Sequence, residues 1–96
     1  MNEALLQAER MLAAGLVDQA QRLYEAAAAA DPHDSIAVVG LARVALERAD
    51  DARALQLAWR AQGIDPENVA AARLAARMEE VLTARGESLP DREVDA

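Results

Sequence analysis

The chain has 96 residues, of which 53% are hydrophobic, and 17 acids against 10 bases give it a net charge of -7 with no cysteine. That length holds one small domain with a single modest core. The missing thiols exclude disulfides and thiolate metal sites, and the acidic balance argues against nucleic acid, whose phosphates call for a basic face.

The first helix is expected from about Glu3 to Ala14, stopping near Gly15. The opening stretch MNEALLQAERMLAAG carries acids early and lacks the basic-then-apolar layout of a secretory leader. No apolar run approaches the roughly 18 to 20 residues of a membrane span, so the expectation is a cytoplasmic protein that does not enter membranes. A second helix starts with Asp18 in its first turn and ends before Asp31-Pro32. Pro32 cannot continue a helix and biases Asp31 away from helical geometry. Asp34 or Ser35 then caps a third helix, which runs to about Arg48. Its β-branched residues do not alternate as in a strand; Ile36, Val39, Arg43 and Leu46 keep helical spacing. A fourth helix, capped by Asp50 or Asp51, ends at Gly63. The fifth is expected from Pro66, a favoured first-turn residue, to about Arg85, with Gly86 ending it. Residues 87–96, ESLPDREVDA, read as a mobile acidic tail. The chain is therefore all-α. With no Phe, one Tyr and one Trp, it should have a thin core whose backbones approach closely.

The five helices contain a repeat. Asp31-Pro32 recurs as Asp65-Pro66 at an offset of 34 residues. At the same offset Ala8 falls on Ala42, Leu12 on Leu46, Ala20 on Ala54, Leu23 on Leu57 and Ala27 on Ala61. This period, with two helices per unit and a closing Asp-Pro, resembles the tetratricopeptide repeat. The first unit shows Ala8, Gly15, Ala20, Tyr24, Ala27 and Pro32; the second shows Leu41, Ala42, Ala54, Ala61 and Pro66. Ala4 and Met11 stand where unit one would carry larger residues, and Ala45, Ala49 and Ala58 replace the aromatic, glycine and aromatic of unit two. The resemblance implies a right-handed superhelical stack of two antiparallel hairpins, residues 1–34 and 35–68, with residues 66–85 as a fifth, capping helix. The domain would span 1–86. Small residues belong where the helices of a hairpin meet, and each hairpin buries a face on the next.

No constellation for catalysis is visible. His33 is the only histidine, and a turn between Asp31 and Asp34 fits it better than an acid-base or metal role. Ser35, Thr83 and Ser88 read as cap, helix surface and tail, and no phosphate loop is present. The expectation is a non-enzyme without cofactor or metal. Trp59 admits two readings. It is an exposed interaction anchor, or it packs on Ile64 across a helix end closed by Gly63.

The resemblance implies a protein or peptide ligand on the concave face, which the first helix of each unit lines. It puts Asn2, Leu5, Glu9 and Leu12 there, then Ile36, Val39, Arg43 and Leu46, then Ala70, Arg73, Arg77 and Glu80. The candidate groove residues are accordingly Leu5, Leu12, Ile36, Val39, Arg43, Arg73 and Arg77, an apolar strip beside three arginines. Arginine can hold a carboxylate through two parallel hydrogen bonds, which suits a peptide with an acidic group or free carboxyl end. Alternatively the arginines pair with Glu80 or solvent. The lysine and asparagine clamp of the family's chaperone-tail binders is not reproduced: Leu5, Glu9, Gly40, Arg43 and Arg73 stand there instead.

The fifth helix poses a second question. Its small face, Ala72, Ala75, Ala76 and Glu79, would pack on the fourth helix. Leu74, Met78, Val81 and Leu82 form another apolar stripe. That stripe would be ordinary core, a homodimer contact, or a seat for the tail through Leu89 and Val94. The acidic tail would be solvated or dock on the arginines. Two functions thus compete: a protein-binding adaptor or assembly factor, bacterial and cytosolic given the all-arginine, alanine-rich composition, or a self-associating structural module.

Overall fold

The computed structural model describes residues 2–92, and among them the elements are five helices with no strand: α1 (Glu3–Ala13), α2 (Val17–Ala30), α3 (Ser35–Glu47), α4 (Asp51–Ile64) and α5 (Val69–Ala84). Residues 93–96, including the Val94 of the expected tail contact, lie outside this range. The helices alternate direction, and each packs chiefly on its neighbours in sequence. α1 and α2 form one hairpin, α3 and α4 the next, and α5 covers the open end, building an all-α superhelical stack.

The punctuation that produces this order repeats with the period. Asp34 caps α3, its Oδ1 accepting from the backbone N–H groups of Ile36 at 3.1 Å and Ala37 at 3.2 Å. Asn68, 34 residues on, caps α5 by accepting from Ala71 N–H at 3.0 Å. Ahead of each cap an aspartate turns the chain: Asp31 accepts from His33 N–H and Asp65 from Glu67 N–H, both at 3.0 Å. α5 therefore starts at Val69 and not at the expected Pro66. Pro66 lies inside the Asp65–Asn68 turn, closed by a bond from Asn68 N–H to Asp65 O. The fourth helix is capped by Asp50, which accepts from Arg53 N–H, while Asp51 holds Arg85 at 2.6 Å.

Three helix ends close through a left-handed residue. Gly15 follows α1, Gly86 follows α5, and Ala49 follows α3 with φ 59°. At each the next N–H reaches back to a carbonyl in the last turn: Leu16 to Met11, Asp50 to Ala45 and Glu87 to Leu82. α4 behaves differently from the expectation. It continues through Gly63 to Ile64, Gly63 has no positive φ, and the stop comes from Asp65-Pro66.

The core is a chain of three clusters. Leu5, Ala8, Leu12, Ala20 and Tyr24 join Ala37 and Val44 between the first hairpin and α3. Val38, Val39, Ala42, Ala54, Leu57 and Ala61 fill the second hairpin together with Ala71. Leu55, Ala58 and Trp59 meet Ala75, Met78 and Leu82 between α4 and α5. The repeated alanines Ala8, Ala20, Ala42, Ala54 and Ala61 are wholly buried, so close backbone approach is what the period encodes. Of the alanine run before Asp31, Ala29 and Ala30 are exposed.

The α5 face differs from the expected one. Ala71, Ala75, Met78 and Leu82 face inward, whereas Ala76 is exposed. Trp59 does not pack on Ile64, which joins the cluster of the second hairpin instead. Its ring is buried against α5, with indole Nε1–H donating to Glu79 Oε1 at 2.9 Å.

Candidate functional site

The first helices of the units, α1 and α3, and the N-terminal half of α5 enclose a trough. A cavity of about 420 Å³ opens between Leu5 and Glu9 of α1, Ile36, Val39 and Arg43 of α3, and Ala70 of α5. A second cavity of about 280 Å³ continues from it, sharing Val39, Arg43 and Ala70 and adding Arg73, Leu74 and Arg77. Helical spacing is the local cause. Ile36, Val39, Gly40 and Arg43 recur every three or four residues on α3, as do Ala70, Arg73, Leu74 and Arg77 on α5.

Six of the seven residues expected on this face line these two cavities: Leu5, Ile36, Val39, Arg43, Arg73 and Arg77. Leu12 does not. It is buried in the cluster of the first hairpin and serves packing. Sequence reasoning missed Tyr24 and Asn68 as wall residues of the larger cavity, and met Gly40 only at a clamp position. Tyr24 belongs to α2, the outer helix, yet reaches the trough because Gly40 has no side chain. A Cβ at Gly40 would overlap the Tyr24 ring. The pairing of a patterned aromatic with a glycine on the inner helix was the available signal.

The electrostatics are uneven along the trough. At the α1 end Arg43 is already engaged, its Nη1 3.5 Å from Glu9 Oε1, with both side chains nearly half exposed. At the α5 end neither Arg73 nor Arg77 forms an ion pair with any described residue, Glu80 included. The Tyr24 hydroxyl is buried and has no hydrogen-bond partner among the described residues. Burial pushes its pKa up, the nearby Arg43 charge opposes that, and Glu9 adds to it. On the outer surface Arg48 holds α3 to α2, donating to Asp18 at 2.6 Å and to Gln21 at 2.7 Å. Its hydrogen bond, and then its charge, draw the Asp18 carboxyl below the usual carboxylate range.

The stripe on α5 is largely internal to the chain. Met78 and Leu82 are 4% and 3% exposed against α4, and Leu74 and Val81 are half-buried beside the same cluster. The first part of the tail is also placed. Gln56 Nε2 donates to Asp91 O at 2.9 Å, and the Arg92 guanidinium lies 4.0 Å from the centre of the Trp59 ring. Residues 87–92 thus return to α4 and do not lie on Arg43, Arg73 and Arg77. His33 is an exposed turn residue whose backbone N–H donates to Asp31.

No helix among the described residues is long and apolar enough to cross a membrane. No curated protein and no solved structure matches the chain. A family model described as tetratricopeptide repeat matches residues 11–78, from the last turn of α1 into the middle of α5. With the 34-residue punctuation, the paired hairpins and the inner trough all falling within or beside that span, the chain belongs to the tetratricopeptide repeat family, whose members are non-catalytic repeats that generally mediate protein–protein interaction.

Proposed function

We propose that the trough is the working surface, and that it binds a segment of a partner protein bearing an acidic group or a free carboxyl end. The supporting observation is the continuity of the two cavities. An apolar floor from Leu5, Ile36 and Val39 runs on to Arg73 and Arg77, which form no ion pair with any described residue. On a chain of net charge -7 such a local cluster is selective for anions at close range and repels them elsewhere. Apolar contact supplies affinity and arginine supplies orientation. The role is that of a bacterial cytoplasmic adaptor or assembly factor, without catalysis or cofactor. Self-association through α5 has less support, since Met78 and Leu82 are already spent on α4.

The test is the triple substitution Arg43→Ala, Arg73→Ala and Arg77→Ala, all on exposed side chains. A partner captured by the intact chain, purified and remeasured by calorimetry, should bind with a strong salt dependence. The triple variant should lose both the binding and the salt dependence while keeping its helical circular dichroism. Unchanged affinity would remove the groove as the binding surface.

A further inference from the structure

A cleft on the other side of α3 shares nothing with the trough. α2 and α4 flank α3 there without approaching each other closely. Between them a space of about 320 Å³ opens over Leu41, Val44, Ala45 and Leu57. Small-molecule sites run from roughly 300 to 1,000 Å³, so this one suits a small ligand. None of its lining residues borders either trough cavity.

The repeat explains why the space is open. One period on, Glu25 becomes Trp59 and Ala45 becomes Glu79. There the indole is buried against α5, and its Nε1–H donates to Glu79 Oε1 at 2.9 Å. One period back, Ala45 becomes Met11, half-buried against the core of the first hairpin. The second unit has a methyl group where both neighbours carry a long side chain. It also has an exposed glutamate where the next unit carries a ring. What the third unit builds in, an aromatic ring between two helices, the second unit leaves out.

The polar wall sets the charge of the ligand. Arg48 is spent on Asp18 and Gln21, at 2.6 and 2.7 Å. Arg53, on the α4 wall, is also engaged. The two carboxylates of the wall, Glu25 and Asp50, form no ion pair with any described residue. Asp50 is occupied in part by capping α4, accepting from Arg53 N–H at 3.2 Å. Glu25 has a hydrogen bond of 3.4 Å from Gln21 Nε2. A ring entering the cleft thus meets an apolar floor and, at its edge, a carboxylate open to a cation. The net charge of -7 draws cations toward the same surface.

We propose that this cleft is a second binding site, for a small aromatic amine. The ring lies on Leu41, Val44, Ala45 and Leu57, and the ammonium group pairs with Glu25. The apolar floor supplies contact area, and the carboxylate selects the charge. The site stands apart from the trough and does not depend on what the trough binds.

Tryptamine is the probe, titrated into the isotope-labelled full chain and followed by amide resonances. It should shift Leu41, Val44, Ala45 and Leu57 saturably and leave Ala70, Arg73 and Arg77 in place. Indole, which lacks the ammonium group, should bind roughly fivefold more weakly, the worth of one exposed ion pair. Indole-3-acetate, of opposite charge, should bind more weakly still. Glu25→Gln, on an exposed side chain, should erase the advantage of tryptamine over indole. Ala45→Met restores the residue of the first unit and fills the space, so the variant should keep its helical circular dichroism and lose tryptamine. The proposal is overturned by the absence of saturable shifts, or by shifts confined to the trough. Equal affinity for indole-3-acetate overturns it too, as does unchanged binding to Glu25→Gln or to folded Ala45→Met. Tighter binding of an acetylated Arg-Trp-Arg amide would also overturn it, making the cleft a seat for a partner's side chain.

Discussion

Single residues show where the repeat departs from its own rule. Ala49 occupies the left-handed position that Gly15 fills in the first unit, with φ 59°. A Cβ there crowds the following carbonyl and costs about 1–2 kcal/mol. Ala49→Gly should therefore stabilise the chain by about 1 kcal/mol, less the entropy glycine brings to the unfolded state. Urea melts check this, with Gly15→Ala expected to move the midpoint the other way. Tyr24 is a second case. Its hydroxyl is buried without a described partner, so Tyr24→Phe removes a polar group that costs roughly 1–3 kcal/mol to bury unpaired. The variant should be as stable as the parent or more so. The same substitution alters the alkaline limb. Burial raises the Tyr24 pKa, so its favourable contribution is complete below the unfolded value of about 10 and is lost as pH climbs through the raised folded value. The chain has no lysine, no cysteine and one tyrosine, leaving this group to dominate that limb. Stability measured from pH 9 to 11 should fall in the parent and stay nearly flat in the phenylalanine variant.

At the scale of elements, helix ends rather than helix bodies decided what the sequence disclosed. The bodies were legible because apolar spacing is set by 3.6 residues per turn, and each of the five falls where expected. Two ends were not. Gly63 looks like a terminator but lies inside α4, since glycine stops a helix only when the chain also takes up a left-handed turn there. Pro66 looks like a first-turn residue but sits one turn early, because Asp65 organises its own turn and leaves Asn68 as cap. The inward face of α5 is Ala71, Ala75, Met78 and Leu82. Asn68 has a double duty that local pattern could not show: its Nδ2 donates to the buried Ser35 Oγ at 2.9 Å, tying the starts of α3 and α5. Asn68→Ala should cost about 1–2 kcal/mol from the cap, with more from the orphaned serine. Ser35→Ala should retain the cap and lose the bond from Asn68 Nδ2, so the two variants separate the contributions. Hydrogen exchange should show the loss first in the opening turn of α5.

Over the whole molecule, the groove was readable from the repeat, because position within a unit fixes which way a side chain faces. The tail was not, because nothing periodic places it. The sequence left the acidic tail either solvated or docked on the arginines. The structure sends residues 87–92 back along α4, where Arg92 stacks on Trp59 and Gln56 holds Asp91. These contacts are remote from the trough in rotation as well as in sequence. Glu79, which accepts the Trp59 N–H, stands two residues beyond Arg77 and so about 200° round α5 from it. The strap therefore shields the α4–α5 seam and leaves the trough uncovered. Truncation after Gly86 should shift Trp59 emission to the red and raise its acrylamide quenching, because one face of the ring loses its cover. Arg92→Ala alone should reproduce most of that change. Stability should fall by about 1 kcal/mol, as expected for a partly exposed cation–ring contact. Affinity for a groove ligand should stay the same in both variants. A gain in affinity on truncation would mean instead that the acidic tail competes for the arginines in solution, and that the contact with Trp59 is not its resting place.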